Sequence, residues 1–256
     1  MPSDSIIIRP AATVLILRDA PFRVLMVKRH AKAFLGSALV FPGGVVEPAD
    51  ASPDWLPHLQ GAAHLSDQER AFRIAACREV FEETSILLAT ASVPCGHPPD
   101  HISSDDFLHM VRGAHAKLTL GALQPFAHWV TPDYAPKRFD TRFFVCHAPA
   151  GHKAVADGAE TVSLQWISPA EALAAAAARE SVIAFPTRLN LKLLAESQSA
   201  PGAIAAAQER PSFTVRPWRE RREDGVYVHI PPEAGYGVTG ELIRQDSPEM
   251  RAAASI

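Results

Sequence analysis

Strand-type and helix-type runs alternate along this 256-residue chain, and the helix-type runs open on recognisable cap signals. That order constrains the fold more than any other feature. Residues 13–17 and 23–28 are rich in β-branched and apolar types and flank Asp19-Ala20-Pro21, which reads as a hairpin turn. A third apolar run, 38–41, stops at Pro42-Gly43-Gly44, and residues 45–66, rich in Pro, Asp, Ser and His, read as an irregular insertion. Ser66-Asp67-Gln68-Glu69 forms a capping box that opens a helix expected over 67–89. A shorter helix is expected over 105–117, and strands over 126–131, 141–147 and 161–167. Ser168-Pro169 starts another helix, with proline at its first helical position, and Pro186-Thr187 starts one reaching to 196. A helix from 200, a basic stretch over 216–222 and a strand-like run over 226–230 follow, and the end beyond 245 reads as frayed. Strands interleaved with helices predict a mixed α/β layered fold.

Composition narrows the function classes. Twenty-five basic residues against 28 acidic ones give a net charge of −3, which argues against a general nucleic-acid binder. No apolar stretch approaches the ~20 residues of a membrane span, so no membrane partner is expected. The start, MPSDSIIIRP, carries neither a basic region nor a long apolar run, and no secretory signal is expected. Three widely spaced cysteines, at 77, 95 and 146, do not make a disulfide framework, and a reducing cytoplasm is the expected compartment.

The chemistry is concentrated in Arg78-Glu79-Val80-Phe81-Glu82-Glu83. At ~100° per residue, Glu82 and Glu83 fall about −60° and +40° from Glu79, so three carboxylates share one helical face. Like charges at such spacing repel. A bound hard cation turns that repulsion into a site, and carboxylate oxygens with water and phosphate suit Mg²⁺ or Mn²⁺. Upstream, Phe41-Pro42-Gly43-Gly44-Val45-Val46-Glu47 brings a strand into a glycine pair and then an acid. Paired glycines let a loop press closely against a helix or ligand. Arg78 stands beside the acidic face, where pairing with Glu47 would tie loop to helix.

These two pieces resemble a Nudix box, G-x5-E-x7-R-E-U-x-E-E-x-G-U with U a bulky aliphatic residue. Gly44, Arg78, Glu79, Val80, Glu82, Glu83 and Ile86 match it, and Glu47 matches the acid often found after the glycines. Three departures stand out. Asp50 takes the place of the first glutamate, Ser85 that of the later glycine, and 27 residues separate Asp50 from Arg78 where the pattern has seven. An insertion of 20 residues therefore splits the box, and it puts Asp50's place at the site in doubt. The run Trp166 to Leu173 is similar to the strand-to-helix exit of Nudix domains.

The resemblance implies an α/β/α sandwich around a mixed sheet, with the domain over 8–198 and a carboxyl-terminal extension over 199–256. It implies metal-dependent hydrolysis of the diphosphate in a nucleoside diphosphate derivative. On that footing Glu82 and Glu83 are metal ligands, Glu79 is a ligand or the general base, and Gly43 helps complete the metal shell. Arg78 joins the catalytic group, while Gly44 and Glu47 orient the site. The split box, the run VFPGGVVEPAD, and the segments 138–144 and 186–191 together resemble the longer-type CoA diphosphatase branch. CoA or acyl-CoA is therefore the favoured substrate, with ADP-ribose, NADH and FAD as alternatives, and a non-catalytic ligand-binding protein as the rival from another class. Arg29 and Gly36 echo a separate CoA signature at a spacing off by one and without its middle arginine.

Several residues carry two readings. Lys28, Arg29 and Lys32 form a basic cluster before the glycine loop, placed to meet phosphate or simply solvated. Alternation along 138–144 sets Arg138, Asp140 and Arg142 on one face, either lining an anion-binding cleft or wet. Cys95, His97 and His101 supply three of the four ligands a zinc site needs. Glu160 is a weak late acid or base. Trp218, amid the basic stretch, either stacks on a base or packs in the tail. The Ala-Ser-Ile ending is not a peroxisomal address. A homodimer is the assembly carried as an expectation.

Overall fold

The computed structural model describes residues 7–30, 37–91, 101–151, 154–156 and 161–243. The chain opens with a hairpin of β1 (Ile8–Arg18) and β2 (Arg23–Arg29), paired antiparallel from Leu17 opposite Val24. Residues 14–17 and 24–27 are fully buried, so these strands are covered on both faces. That is why they read as unbroken apolar runs rather than alternating ones. β3 (Leu39–Val40) pairs with β2, and β4 (Gly43–Val45) pairs with β1.

The insertion is more ordered than its composition predicts. Short 3-10 turns occupy Pro48–Ala51 and Pro53–His58, followed by β5 (Leu59–Gln60). Trp55 is its anchor: it is buried, its Nε1 donates to the Ala49 carbonyl, and its ring lies 5.6 Å from Phe107.

α1 (Asp67–Thr84) starts on the expected capping box, with Ser66 and Glu69 exchanging hydrogen bonds. It ends five residues before the expected 89. Ser85 adopts φ 58°, a left-handed cap whose N–H bonds the Phe81 carbonyl, and the chain turns away. The buried run Ile86-Leu87-Leu88 then continues into the core. α2 (Ser104–Gly113) leads to β6 (Leu118–Thr119), which pairs with β5. β7 (Gln124–Val130), β8 (Arg138–His147) and β9 (Thr161–Ile167) complete most of the sheet.

α3 (Pro169–Ala177) begins on a Ser168–Glu171 capping box, and α4 (Phe185–Ala195) and α5 (Ala200–Glu209) follow. β10 (Thr214–Val215) joins the edge of the large sheet. β11 (Trp218–Arg222), β12 (Gly225–His229) and β13 (Gly240–Leu242) make a separate three-stranded sheet. The basic stretch at 216–222 is thus mostly a strand.

The eight-stranded sheet runs β10-β7-β8-β1-β2-β3, with β4 also on β1 and β9 on β2. β1 and β8 are parallel over ten residue pairs, whereas β1–β2, β7–β8 and β2–β9 are antiparallel, so the sheet is mixed. Two apolar clusters lie on its two faces. One joins Val14, Ile16 and Leu25 to α1 and α2 through Phe72, Val80 and Phe107. The other joins Leu15, Leu17 and Met26 to α3, α4 and α5 through Ala172, Leu189 and Ala203. Each fully buried Leu, Ile or Phe contributes about 1.5–3 kcal/mol, so both layers are held mainly by burial. The result is the expected α/β/α sandwich. Residues past 199 pack into it: Trp129 Nε1 donates to the Tyr236 hydroxyl, which donates to Asn190 Oδ1, and Arg188 pairs with Glu241. Among the described residues, no helix is long and apolar enough to cross a membrane.

Candidate active site

Helix α1 presents its acids to strand β4. Glu83 Oε2 accepts the Gly43 N–H at 3.0 Å, and its other oxygen lies 3.9 Å from Arg29 Nη1. Glu82 Oε2 accepts the Ile102 N–H at 2.9 Å and stands 3.3 Å from His101 Nδ1. Glu79 faces Gly44 so closely that a Cβ there would overlap its carboxylate. Gly43, at φ 155°, lies against the Ala12 carbonyl and Thr13, where a Cβ would collide with backbone. The glycine pair is therefore a steric requirement of packing β4 between β1 and the acidic helix face.

Arg78 organises the loop. Its Nε and Nη2 donate to the two Asp50 oxygens at 3.3 and 3.2 Å, Nη2 also donates to the Val45 carbonyl at 2.8 Å, and Nη1 donates to Glu79 at 2.9 Å. Glu47 stands 3.8 Å away and accepts the Ser104 N–H. Arg78 and Asp50 are both fully buried. Burial opposes the guanidinium's charge, but Glu79, Asp50 and Glu47 outweigh it and push its pKa up. Asp50 is thus joined to the site: the tight turn after Glu47 brings the short side chain to Arg78, and the Glu47 N–H fixes its second oxygen at 2.7 Å. The inserted residues come after that turn and leave the contact intact.

Burial pushes the Glu79 pKa up to about 7, with Arg78 pulling it down and Glu82 adding to the rise. Glu82 is also raised, by burial first, against the Ile102 N–H and His101. Among the described residues, no three acids, histidines or cysteines form a ready-made metal cage. The donor set still fits a hard divalent cation, because Glu82 and Glu83 are buried carboxylates one residue apart, each with one oxygen held by a backbone N–H. Mg²⁺ in particular is held by one or two carboxylates with waters and substrate phosphates.

The acids open into a cleft of about 710 Å³ that continues over the other face of the sheet, past Phe139, Phe143 and Phe185, to β11 and β12. Arg29 lines it. Three expected ligand-binding residues do not. Lys28 is exposed and is not among the residues that line it. In β8 it is Phe139, Thr141 and Phe143 that face the cleft, so Arg138 and Arg142 point to the opposite face. Arg138 Nε donates to the Thr131 carbonyl, and Arg142 lies over the Phe72 ring, 3.9 Å from Asp140. Trp218 is exposed and stacks on His229. His101, read above with a zinc set, instead meets Glu82 and Glu47. Cys95, His97, Lys32, Gly36 and Glu160 lie outside the described residues. His101 is the site member that the motif did not supply, and Asp50, which the motif placed but the insertion put in doubt, is held by Arg78.

Comparison with known proteins bears on the family and the fold. The family described as the NUDT19 Nudix domain matches residues 61–194. Human acyl-coenzyme A diphosphatase NUDT19 is 32% identical over 231 residues, covering 70% of this chain and 62% of the human protein. Putative nudix hydrolase 7 of Caenorhabditis elegans is 28% identical over 197 residues, covering 73% and 61%. The crystal structure of a NUDIX hydrolase from Alicyclobacillus acidocaldarius aligns with a TM-score of 0.64 at 27% identity, over 78% of this chain and 96% of that one. The chain belongs to the Nudix family, with the NUDT19 Nudix domain as the matching member. It spans 62% and 61% of the length of the human and nematode relatives.

Proposed function

We propose that the chain is a Mg²⁺- or Mn²⁺-dependent diphosphatase that hydrolyses CoA or acyl-CoA at its diphosphate. The observation that carries this reading is the placement of Glu79, Glu82 and Glu83 against Gly43 and Gly44 at one end of a large, mostly apolar cleft. Similarity to proteins named acyl-coenzyme A diphosphatase supports the substrate.

Glu82 and Glu83, each fixed through one oxygen by a backbone N–H, are the proposed cation-holding pair. A bound cation supplies neutralisation of the diphosphate and a more acidic water. Glu79 takes the proton of the attacking water: its carboxyl is pushed towards neutrality, which suits a general base. Arg78, held by Asp50, fixes Glu79 and the Val45 carbonyl in place, and Arg29 faces the phosphates from the opposite strand. The apolar wall takes the pantetheine and acyl portions out of water, which favours substrates with a long apolar arm.

Incubation of the pure protein with CoA, acyl-CoA, ADP-ribose, NADH and FAD, with and without each metal, tests the reading by mass identification of products. Phosphopantetheine or its acyl form, made only with metal and lost in Glu83→Gln, is the expected result. Metal-dependent turnover of ADP-ribose, NADH or FAD in preference to CoA would overturn the substrate assignment.

A further inference from the structure

We infer that Arg219, carried by the carboxyl-terminal three-stranded sheet, is a specificity-determining residue that binds a phosphate monoester of the substrate separate from the diphosphate. This rests on the reading above, in which the substrate is CoA or its thioester.

The small sheet is a wall of the cleft. Arg219 on β11 and Val228 on β12 are directly paired, and both line it. The wall is fixed to the domain by the buried Trp129–Tyr236–Asn190 chain and by the Arg188–Glu241 pair.

The chemistry of Arg219 is distinctive. Its guanidinium lies 3.9 Å from the centroid of Tyr134, also on the cleft. Its Nε is buried and has no hydrogen-bond partner among the described residues, and no carboxylate there pairs with it. A half-buried cation beside an aromatic ring, with an unmet donor and no counter-ion, is short of an anion. Lys137, in the same turn as Tyr134, lines the same part of the cleft. The acids that hold the cation belong to a different wall, formed by α1 and β4. A diphosphate at that wall leaves Arg219 for another anionic group. In CoA that group is the phosphate on the ribose. Guanidinium suits it because its planar fork bonds two phosphate oxygens at once.

The test measures binding rather than turnover. Calorimetry compares adenosine 3′,5′-bisphosphate with AMP on the unmodified protein, Arg219→Gln and Arg219→Lys, with metal present. Arg219→Gln is expected to weaken the bisphosphate about 10- to 100-fold and AMP less than threefold, with Arg219→Lys between. Thermal melts of all three should agree within a few degrees. Equal weakening of both nucleotides, unchanged binding of both, or no binding of either to the unmodified protein would overturn the assignment. Parallel hydrolysis of CoA and dephospho-CoA separates the two ideas. Turnover of CoA with an equal loss on both substrates in Arg219→Gln sinks the role of Arg219 alone. Arg219-dependent binding without turnover of CoA sinks the diphosphatase reading alone.

Discussion

Replacing Asp50 by Asn tests whether the split box is held together as described. The change is isosteric, so it alters charge and hydrogen bonding without opening a cavity. In the native protein Asp50 Oδ1 accepts Arg78 Nε, and Oδ2 accepts both Arg78 Nη2 and the Glu47 N–H. Whichever way the amide turns, its NH₂ meets at least one of those donors. Arg78 keeps Glu79 and the Val45 carbonyl, so its charge is not left wholly bare. Breaking a buried pair by altering one partner typically costs about 3–5 kcal/mol, and the surviving partners place this change near the lower end. In a chain of this size each kcal/mol moves Tm by roughly 2–4 °C, so a drop of about 6–12 °C is expected. Urea denaturation at fixed Mg²⁺, with the slope checked for two-state behaviour, measures it directly. Asp50→Glu, the residue usual at this place in the box, should also destabilise, by about 1–3 kcal/mol, because the extra methylene must fit at a fully buried position already bonded to Arg78 and the Glu47 N–H. A loss below 1 kcal/mol for Asp50→Asn would show that Arg78 does not depend on Asp50.

Three further outcomes are expected. Gly44→Ala should lower kcat/KM at least tenfold on the substrate that is turned over while shifting Tm by only a few degrees, since the added methyl displaces the movable end of Glu79; full activity would contradict the packing of β4 on α1. In the metal-free protein, the Glu79 carboxyl titrates near 4.5 unfolded and near 7 folded, so the native state holds the extra proton between those pH values and stability falls as pH rises, by about 3 kcal/mol in all. Melts in EDTA from pH 4.5 to 7.5 should show that decline, and Glu79→Gln should flatten most of it. Ser85→Gly should stabilise the protein by about 0.5–1 kcal/mol in denaturant titrations, because it relieves a left-handed cap at φ 58° and gives up only a 3.4 Å contact with the Val155 carbonyl. A destabilised variant would mean that the serine hydroxyl matters more than the backbone.

What the sequence made legible was local. The Ser66 and Ser168 capping boxes, the strand runs and the three-carboxylate face of α1 follow from side-chain chemistry acting over a few residues, and each appears in the fold. What it hid depends on contacts across the chain. The end of α1 was misplaced because Ser85 carries a left-handed conformation that glycine would have advertised. Asp50 was in doubt because residue count, and not the turn following Glu47, set the apparent distance to Arg78. Alternation in β8 divided its residues into two faces correctly, yet did not say which face the cleft would take. The cleft took the aromatic face, because the charged one lies over Phe72 and α1. His101 was read only with Cys95 and His97 as a zinc ligand, because nothing local showed that the chain leading into α2 brings it to Glu82.

The two-residue strand β10 has a bearing on how the protein can be cut. It is the outermost strand of the large sheet on that side, where Thr214 and Val215 pair with His128 and Trp129 of β7. Residues 61–194, the stretch shared with the family, omit it, together with β1 to β4. A fragment trimmed to those limits would present both β7 and β8 as open edges with unpaired backbone donors and acceptors. Open edges of that kind recruit strands from other molecules. Such a fragment should therefore self-associate during expression, and soluble material should require boundaries that retain both the opening hairpin and Val215.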